Sequence, residues 1–477
     1  MPASHASAGP APGSYRDPRG HVYKLNGRVF RTVLGPGLDD MVFCRNSGFF
    51  LQAEERGCLI KTKEVADIGI LASFPGARMV LEHECVPFIT FPYEWTFSQL
   101  KKAALLHLDL HLLALKYGVT MRDASAYNIQ FENTKPVFID YLSFARYKEG
   151  EIWAGHHQFC EQFLNPLLLF SKAGLEYQTW YKGSLGGIST CDTNRILPWR
   201  AKFSPQILTH VVLKDHFDRA SLKQSSGAGS ETFSPQTGRG EKAKLPQKAL
   251  ETMLSSLRSF IAGLERRTQK TLWEDYSKTN SYTRESNERK RSAVRDFCAR
   301  RTPRRLLDIG CNSGEFSEIS LSSGAGQVVG LDLDHGAVAL AFNRAEIKKL
   351  ALLPLLQDFK NPSPSQGWNG IERQALSERI IEWNPDAILA LAVIHHLALS
   401  GNIPLDQVVE WLAGIAPCGV IEFVPKEDLT VRIMMRYRED IFPDYTQTVF
   451  EECLRRRADI VNRFMLANGR ILYEFSR

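Results

Sequence analysis

Two glycines between two aspartates set out the first piece of chemistry in this chain. In Asp308-Ile-Gly-Cys-Asn-Ser-Gly-Glu-Phe, Gly310 permits a sharp turn off a strand, and Gly314 lets the backbone lie close to a ligand. Further on, Asp332 closes a second apolar run. A carboxylate there can accept hydrogen bonds from both hydroxyls of a ribose. The dinucleotide pattern G-x-G-x-x-G is absent, since position 312 is Asn and position 315 is Glu. A second piece is Val393-Ile-His-His-Leu. His395 and His396 end an apolar run, where a neutral imidazole could take a hydroxyl proton. Their other reading is a helix cap or a partner for a loop carbonyl. Glu422 is a further candidate base, or a sheet-buried carboxylate bonded to nearby backbone.

These residues need a parallel sheet to position them. Beyond Pro303, short apolar runs alternate with helical spacing. Arg305–Ile309, Gln327–Asp332, Leu352–Gln357, Asp386–Val393 and Gly419–Val424 read as five strands. The fourth is continuously apolar, as a strand buried on both faces should be. Ala467-Asn-Gly between two further apolar runs predicts a hairpin. The expectation is an α/β, doubly wound, Rossmann-like sheet of seven strands that ends in an antiparallel hairpin.

This region, 249–477, resembles the class I S-adenosylmethionine-dependent methyltransferases. The turn Asp308-Ile-Gly-Cys-Asn-Ser-Gly is similar to their first motif, with Asn312 in place of its middle glycine. The resemblance implies S-adenosylmethionine as cofactor, with Asp308 near the methionine amino group and Gly310 and Gly314 along methionine and ribose. It puts Asp332 on the ribose and Asp358, in Leu-Gln-Asp-Phe, at the adenine amine. The amino-directed signature N/D-P-P-Y/F does not follow strand four. The sole Pro-Cys, Pro417-Cys418, precedes strand five, so Cys418 reads as a core thiol. The expected reaction is therefore methylation of an oxygen on a small or glycan-like acceptor, with His395 or His396 as base. An ordinary imidazole would make the rate fall with acid near pH ~6–7. Two other readings are an RNA or protein methyltransferase, guided by the basic helix after Arg284, and a non-catalytic scaffold that binds the cofactor. That basic helix also reads as a plain solvated face. The aromatic stretch Trp273–Tyr282 reads as a lid over the cofactor or as a hydrophobic staple.

The N-terminal half, 21–220, carries Asp123-Ala-Ser-Ala-Tyr-Asn and then Phe138-Ile-Asp-Tyr-Leu. The spacing of Asp123, Asn128 and Asp140 resembles the catalytic loop and metal strand of kinase-like phosphotransferases. That resemblance implies an α+β domain in which Asn128 and Asp140 hold magnesium. Met121 stands where a histidine is typical, Leu142 replaces a glycine, no glycine-rich loop lies upstream, and Lys61 is the nearest nucleotide lysine. The alternative is a module whose Asp and Asn brace a turn. The whole layout resembles a bacterial group of two-part methyltransferase-like proteins that includes the host-specific nodulation protein NoeA. Phe91–Phe97, Asp123–Asn128, Gln158–Leu169 and Arg438–Thr446 carry that likeness, and it implies a part in modifying a host-recognition glycan or related metabolite.

Composition bounds the rest. The 477 residues suffice for two or three domains, and a net charge of +6 is too mild to mark a strong nucleic-acid binder. Nine scattered cysteines without C-x-x-C suggest reduced thiols, a cytoplasmic protein and no metal site. No apolar run is long enough to span a membrane. The first 20 residues read as disordered and 221–248 as a linker. Nothing in the sequence fixes an oligomeric state.

Overall fold

Strands buried on both faces organise the C-terminal half. The computed structural model describes residues 9–227, 245–267 and 284–477. They divide into two compact units: the first comprises 9–131, 136–227, 245–267 and 366–373, and the second 132–135, 284–365 and 374–477. No helix among the described residues is long and apolar enough to cross a membrane.

The first unit carries strands β1 (Val22–Leu25), β2 (Arg28–Val33), β3 (Thr62–Glu64) and β4 (Met79–His83), which form an antiparallel sheet in the order β1-β2-β4-β3. Phe30, Val65, Phe74 and Val80 make a small core against it. Two further pairs follow: β5 (Val119–Met121) with β8 (Phe144–Arg146), and β6 (Ile129–Glu132) with β7 (Lys135–Phe138), of which only the turn 132–135 counts with the second unit. Helix Phe97–Leu115 packs against β5. It is opened by a capping box in which the Thr96 hydroxyl accepts from the Gln99 N–H and the Gln99 side chain accepts from the Thr96 N–H.

Three expectations about boundaries change here. Residues 9–20 are ordered, because Ala11 N–H bonds to the Val22 carbonyl and the Arg16 guanidinium pairs with Glu372. Residues 1–8 lie outside the described residues. The segment 221–227 is helical, the tail of Lys214–Gly227, while 228–244 lies outside the described residues. Helix Gln247–Ala262 belongs to the first unit. Its stripe of Leu250, Leu254, Leu257 and Ile261 is buried, and Arg258 pairs with Asp109 of helix Phe97–Leu115. The apolar periodicity was legible, but periodicity does not say which core a stripe faces.

The second unit holds β9 (Arg305–Ile309), β10 (Gln327–Asp332), β11 (Leu352–Leu356), β12 (Ala387–Ala390), β13 (Cys418–Phe423), β14 (Asp459–Met465) and β15 (Ile471–Ser476). The order is β11-β10-β9-β12-β13-β15-β14, with β15 antiparallel to both neighbours. This is a doubly wound α/β sheet that ends in an antiparallel hairpin, as the apolar runs implied. Edge strand β14 alternates between exposed and half-buried positions and carries Asp459 and Arg463, which discourages edge-to-edge pairing. Strand β12 is shorter than its apolar run. Ala392 takes φ +58°, a conformation that residues with a Cβ disfavour, and this breaks the extended chain before Val393.

Under this sheet lies a buried chain of charges. Lys290, on helix Arg284–Arg301, donates to Glu422 of β13 at 2.7 Å. Arg470, fully buried beside β15, lies 3.6 Å from Glu422 and donates to both oxygens of Asp428 at 2.7 and 3.0 Å. Glu422 thus has an ammonium for a partner, and the basic helix turns one charge inward. Cys418 is a core thiol, as expected. Breaking a buried pair from one side strands the other charge, which costs about 3–5 kcal/mol. Lys290→Met should therefore lower the thermal unfolding temperature sharply, and Lys290→Met with Glu422→Leu should regain most of the loss. Equal unfolding temperatures for Lys290→Met and the wild type would dissolve this assignment.

Candidate functional site

The carboxyl ends of β11, β10, β9 and β12 stand side by side, so Asp358, Asp332, the Gly310–Gly314 turn and the histidine pair fall along one edge of the sheet. The strand order reverses between β9 and β12, the place where open α/β sheets bind ligands. Gly310 and Gly314 have φ of +76° and +75°. A Cβ on Gly310 would meet the Val393 side chain at 2.4 Å, so no larger residue fits. Asn312, which replaces the middle glycine, has φ +47°. Asparagine is among the few residues that tolerate that region.

Asp332 is held by the turn it faces. Its Oδ2 accepts from the Asn312 N–H at 2.8 Å and its Oδ1 from the Asp334 N–H at 2.9 Å. Burial raises its pKa, and the backbone N–H groups of Asp334, Asn312 and Leu333 work against that rise. Each oxygen keeps a lone pair for a further donor. Asp308 is 1 % exposed and accepts from the Ser317 hydroxyl at 2.5 Å. Burial pushes its pKa up to about 6, against the Ser317 bond and with the help of Asp332. Asp358 is half-buried beyond β11 and accepts from the Lys360 N–H at 2.9 Å.

The histidines lie beyond Ala392, with ring centroids 4.1 Å apart. His396 opens a π-helical turn, His396–Ser400, a widened geometry frequent at functional sites. His395 is buried, and its Nδ1 makes no hydrogen bond among the described residues. Burial, then His396, Arg470 and Lys290, holds its pKa well below the ordinary value. Burial, then Lys360 and Arg470, lowers His396 to about 4. Both imidazoles are therefore neutral at pH 7, and the titration expected near pH 6–7 moves down because charging either ring would cost its hydration. Sequence reading missed a basic cleft after β13. Lys426, Val431, Arg432, Met435, Arg436, Arg438 and Asp440 line about 290 Å³. Arg438 also donates to the Leu399 carbonyl in the turn that His396 opens, at 2.7 Å. Its only sequence signal was the Lys/Arg density of 426–438. The stretch Trp273–Tyr282 lies outside the described residues.

In the first unit, Asp123, Asn128 and Asp140 do come together. Asn128 donates to the Ser143 hydroxyl at 3.2 Å, and Ser143 donates to Asp140 at 2.5 Å. Burial, then the charge of Asp140, raises the pKa of Asp123. Arg31 of β2 reaches Asp140 at 3.1 Å and Asp17 at 2.9 Å. Lys61 is exposed, 3.9 Å from Glu84.

No family model matches the chain. The nodulation protein NoeA of Rhizobium meliloti (strain 1021) is 40% identical over 478 residues, which covers 99% of this chain and 98% of that protein. The ribosomal protein L11 methyltransferase of Bordetella parapertussis is 31% identical over 106 residues, 22% of this chain and 32% of its own. Among solved structures, the N-methyltransferase NodS from Bradyrhizobium japonicum WM9 in complex with S-adenosyl-L-homocysteine is 14% identical and has a TM-score of 0.30. That match covers 42% of this chain and 90% of NodS.

With one oxygen of Asp140 on Arg31 and the other on Ser143, a metal has little left to bind. Calorimetry should find at most weak ATP binding, and phosphate-release assays no magnesium-dependent turnover. Turnover that vanishes in Asp140→Ala would overturn this.

Proposed function

The chain belongs to the family of the nodulation protein NoeA, and from that premise we propose that it is an S-adenosylmethionine-dependent methyltransferase that acts on an oxygen of a small, glycan-like acceptor. The observation that carries the reading is Asp332. It sits at the end of β10, pinned by the N–H groups of Asn312 and Asp334, with lone pairs left for two ribose hydroxyls. The Gly310–Gly314 turn runs beside it without side-chain bulk at either glycine. Asp358, at the end of the neighbouring strand, serves the adenine. The unpartnered, buried Nδ1 of His395 suits a site that a ligand completes.

When bound, the cofactor supplies an electrophilic methyl group on a sulfonium. The residues here do the remainder. Asp308, buried and tied to Ser317, fixes the start of helix Glu315–Ser322 and with it the turn. His395 and His396 present neutral imidazoles beyond β12. A base this weak takes a hydroxyl proton only as the new O–C bond forms and the oxygen turns acidic. The basic cleft of Lys426, Arg432, Arg436 and Arg438 supports an acceptor that carries negative charge. Its size favours a small molecule over a polymer. The nodulation role in the relative's name extends to this chain as part of the same reading, with the reaction in the cytoplasm.

Calorimetry on the full chain tests the cofactor. Asp332→Ala should weaken S-adenosylmethionine binding by ~1–3 kcal/mol through lost hydrogen bonds, and unchanged affinity would remove Asp332 from the site. Labelled-methyl transfer into fractionated extract tests the reaction. At least one of His395→Ala and His396→Ala should slow turnover about a hundredfold or more with cofactor affinity kept. Protonation removes the acceptor lone pair, so activity should persist at pH 5 and fall as the pH drops through about 4, where His396 titrates. Loss of activity at an ordinary histidine pKa would exclude the buried pair as the base.

A further inference from the structure

Three side chains in the first unit converge without a role in the reading above. His156 ends the loop after β8, and Cys160 lies four residues on, along the same helical face. His210 comes from a different segment, far along the chain. Their ligand atoms lie within 4.8 Å of one another. His156 Nε2 is 2.9 Å from His210 Nδ1 and 3.6 Å from Cys160 Sγ. Tetrahedral zinc, with bonds of about 2.0–2.1 Å to nitrogen and 2.3 Å to sulfur, holds an N and an S roughly 3.5 Å apart and two nitrogens roughly 3.3 Å apart. Those two separations need only tenths of an ångström of adjustment, and His210 and Cys160, within 4.8 Å of each other, close around the ion by a side-chain rotation. Both contributing segments are π-helical, Cys160–Leu164 and Leu208–Leu213. A π turn is rare and costly and recurs at functional sites.

We propose that His156, Cys160 and His210 form a zinc site. Two imidazoles and a thiolate select a borderline-soft ion over magnesium or calcium. Binding forms one Zn–S bond and two Zn–N bonds and releases the Cys160 thiol proton to solvent. Three protein ligands leave the fourth tetrahedral position to water. Burial raises the Cys160 thiol to about 12, so the bound ion itself must displace that proton. Burial, with His210 second, lowers the His156 pKa to about 4, and burial also lowers that of His210, so both rings are neutral. The one nearby ammonium, Lys214, is matched by Asp218 at 2.5 Å. Metal-free, the same atoms make an imidazole–imidazole hydrogen bond beside a thiol. With zinc, the ion clips the two π segments together and closes the long stretch of chain between them, the arrangement in which a crosslink restrains most.

The test uses the full chain. Purified without chelator and dialysed, it should retain one zinc per molecule by elemental mass spectrometry. Replacement by cobalt should give a thiolate-to-cobalt charge-transfer band in the near ultraviolet. Cys160→Ser should abolish that band, and His210→Ala should weaken zinc by more than the ~10–100-fold typical of a change outside the ligand set. Zinc should also protect Cys160 from alkylation, read by peptide mass mapping on the wild type, so the result does not depend on a variant that folds. No cobalt band in the wild type, a band kept in Cys160→Ser, or alkylation of Cys160 at an unchanged rate with zinc would each overturn the site.

Discussion

Charges that cannot reach water hold the second unit together. Glu422 is fully buried in the middle of the sheet, and its carboxylate is tolerable only because Lys290 and Arg470 come to it from opposite ends of the unit. Lys290 belongs to the helix that precedes β9, and Arg470 to the turn of the terminal hairpin. Asp428, which accepts from the Arg470 guanidinium, opens helix Leu429–Met435 and the basic cleft. Burial pushes the Asp428 carboxyl up, yet Arg470 outweighs it and keeps it below the usual range. Two elements distant in sequence are thus brought to one carboxylate, and the second carries Asp428 with it. A hydrophobic replacement of the whole set could be as stable, but it would not dictate where the hairpin turn and the cleft go.

The same charges bear on the histidines. Arg470 and Lys290 both act against protonation of His395, and Arg470 against that of His396. The network that aligns the hairpin therefore adds to the burial that keeps the imidazoles neutral. Ala392 adds a geometric element: its left-handed backbone ends β12 early and turns the next residues into a helical turn, so the pair stands off the sheet. Local strain of this kind is retained where position matters more than stability.

The sheet was largely legible in the sequence because strands buried on both faces leave unbroken apolar runs. Six of the seven strands lie within two residues of their runs, and β12 departs because a positive φ at an alanine has no sequence signature. The turn at Gly310–Gly314 could be read because its left-handed backbone demands glycine, and Asp332 because it closes an apolar run. Glu422 could not, since its partners sit more than forty residues away on each side and only the fold brings them in. The helix Gln247–Ala262 was recognised as a helix but given to the wrong core, for a stripe of leucines names no partner. His156, Cys160 and His210 escaped because zinc is usually sought in paired cysteines, while here one helical turn supplies two groups and a remote segment the third.

The first unit counts 366–373 among its residues, although these lie between β11 and β12 of the second. There Glu372 accepts from the Tyr15 hydroxyl at 2.6 Å, from Arg16 and from the Trp368 N–H, and Arg16 above all holds its pKa down to about 2. On the ribosome this has an order built into it. The first 131 residues emerge early, but Tyr15 and Arg16 must wait for Glu372, by which time three strands of the other sheet have already left the exit tunnel. For the gene it means that no single crossover separates the halves intact. A recombinant that inherits one without the other leaves those early residues without their carboxylate, so the two halves are best passed on together.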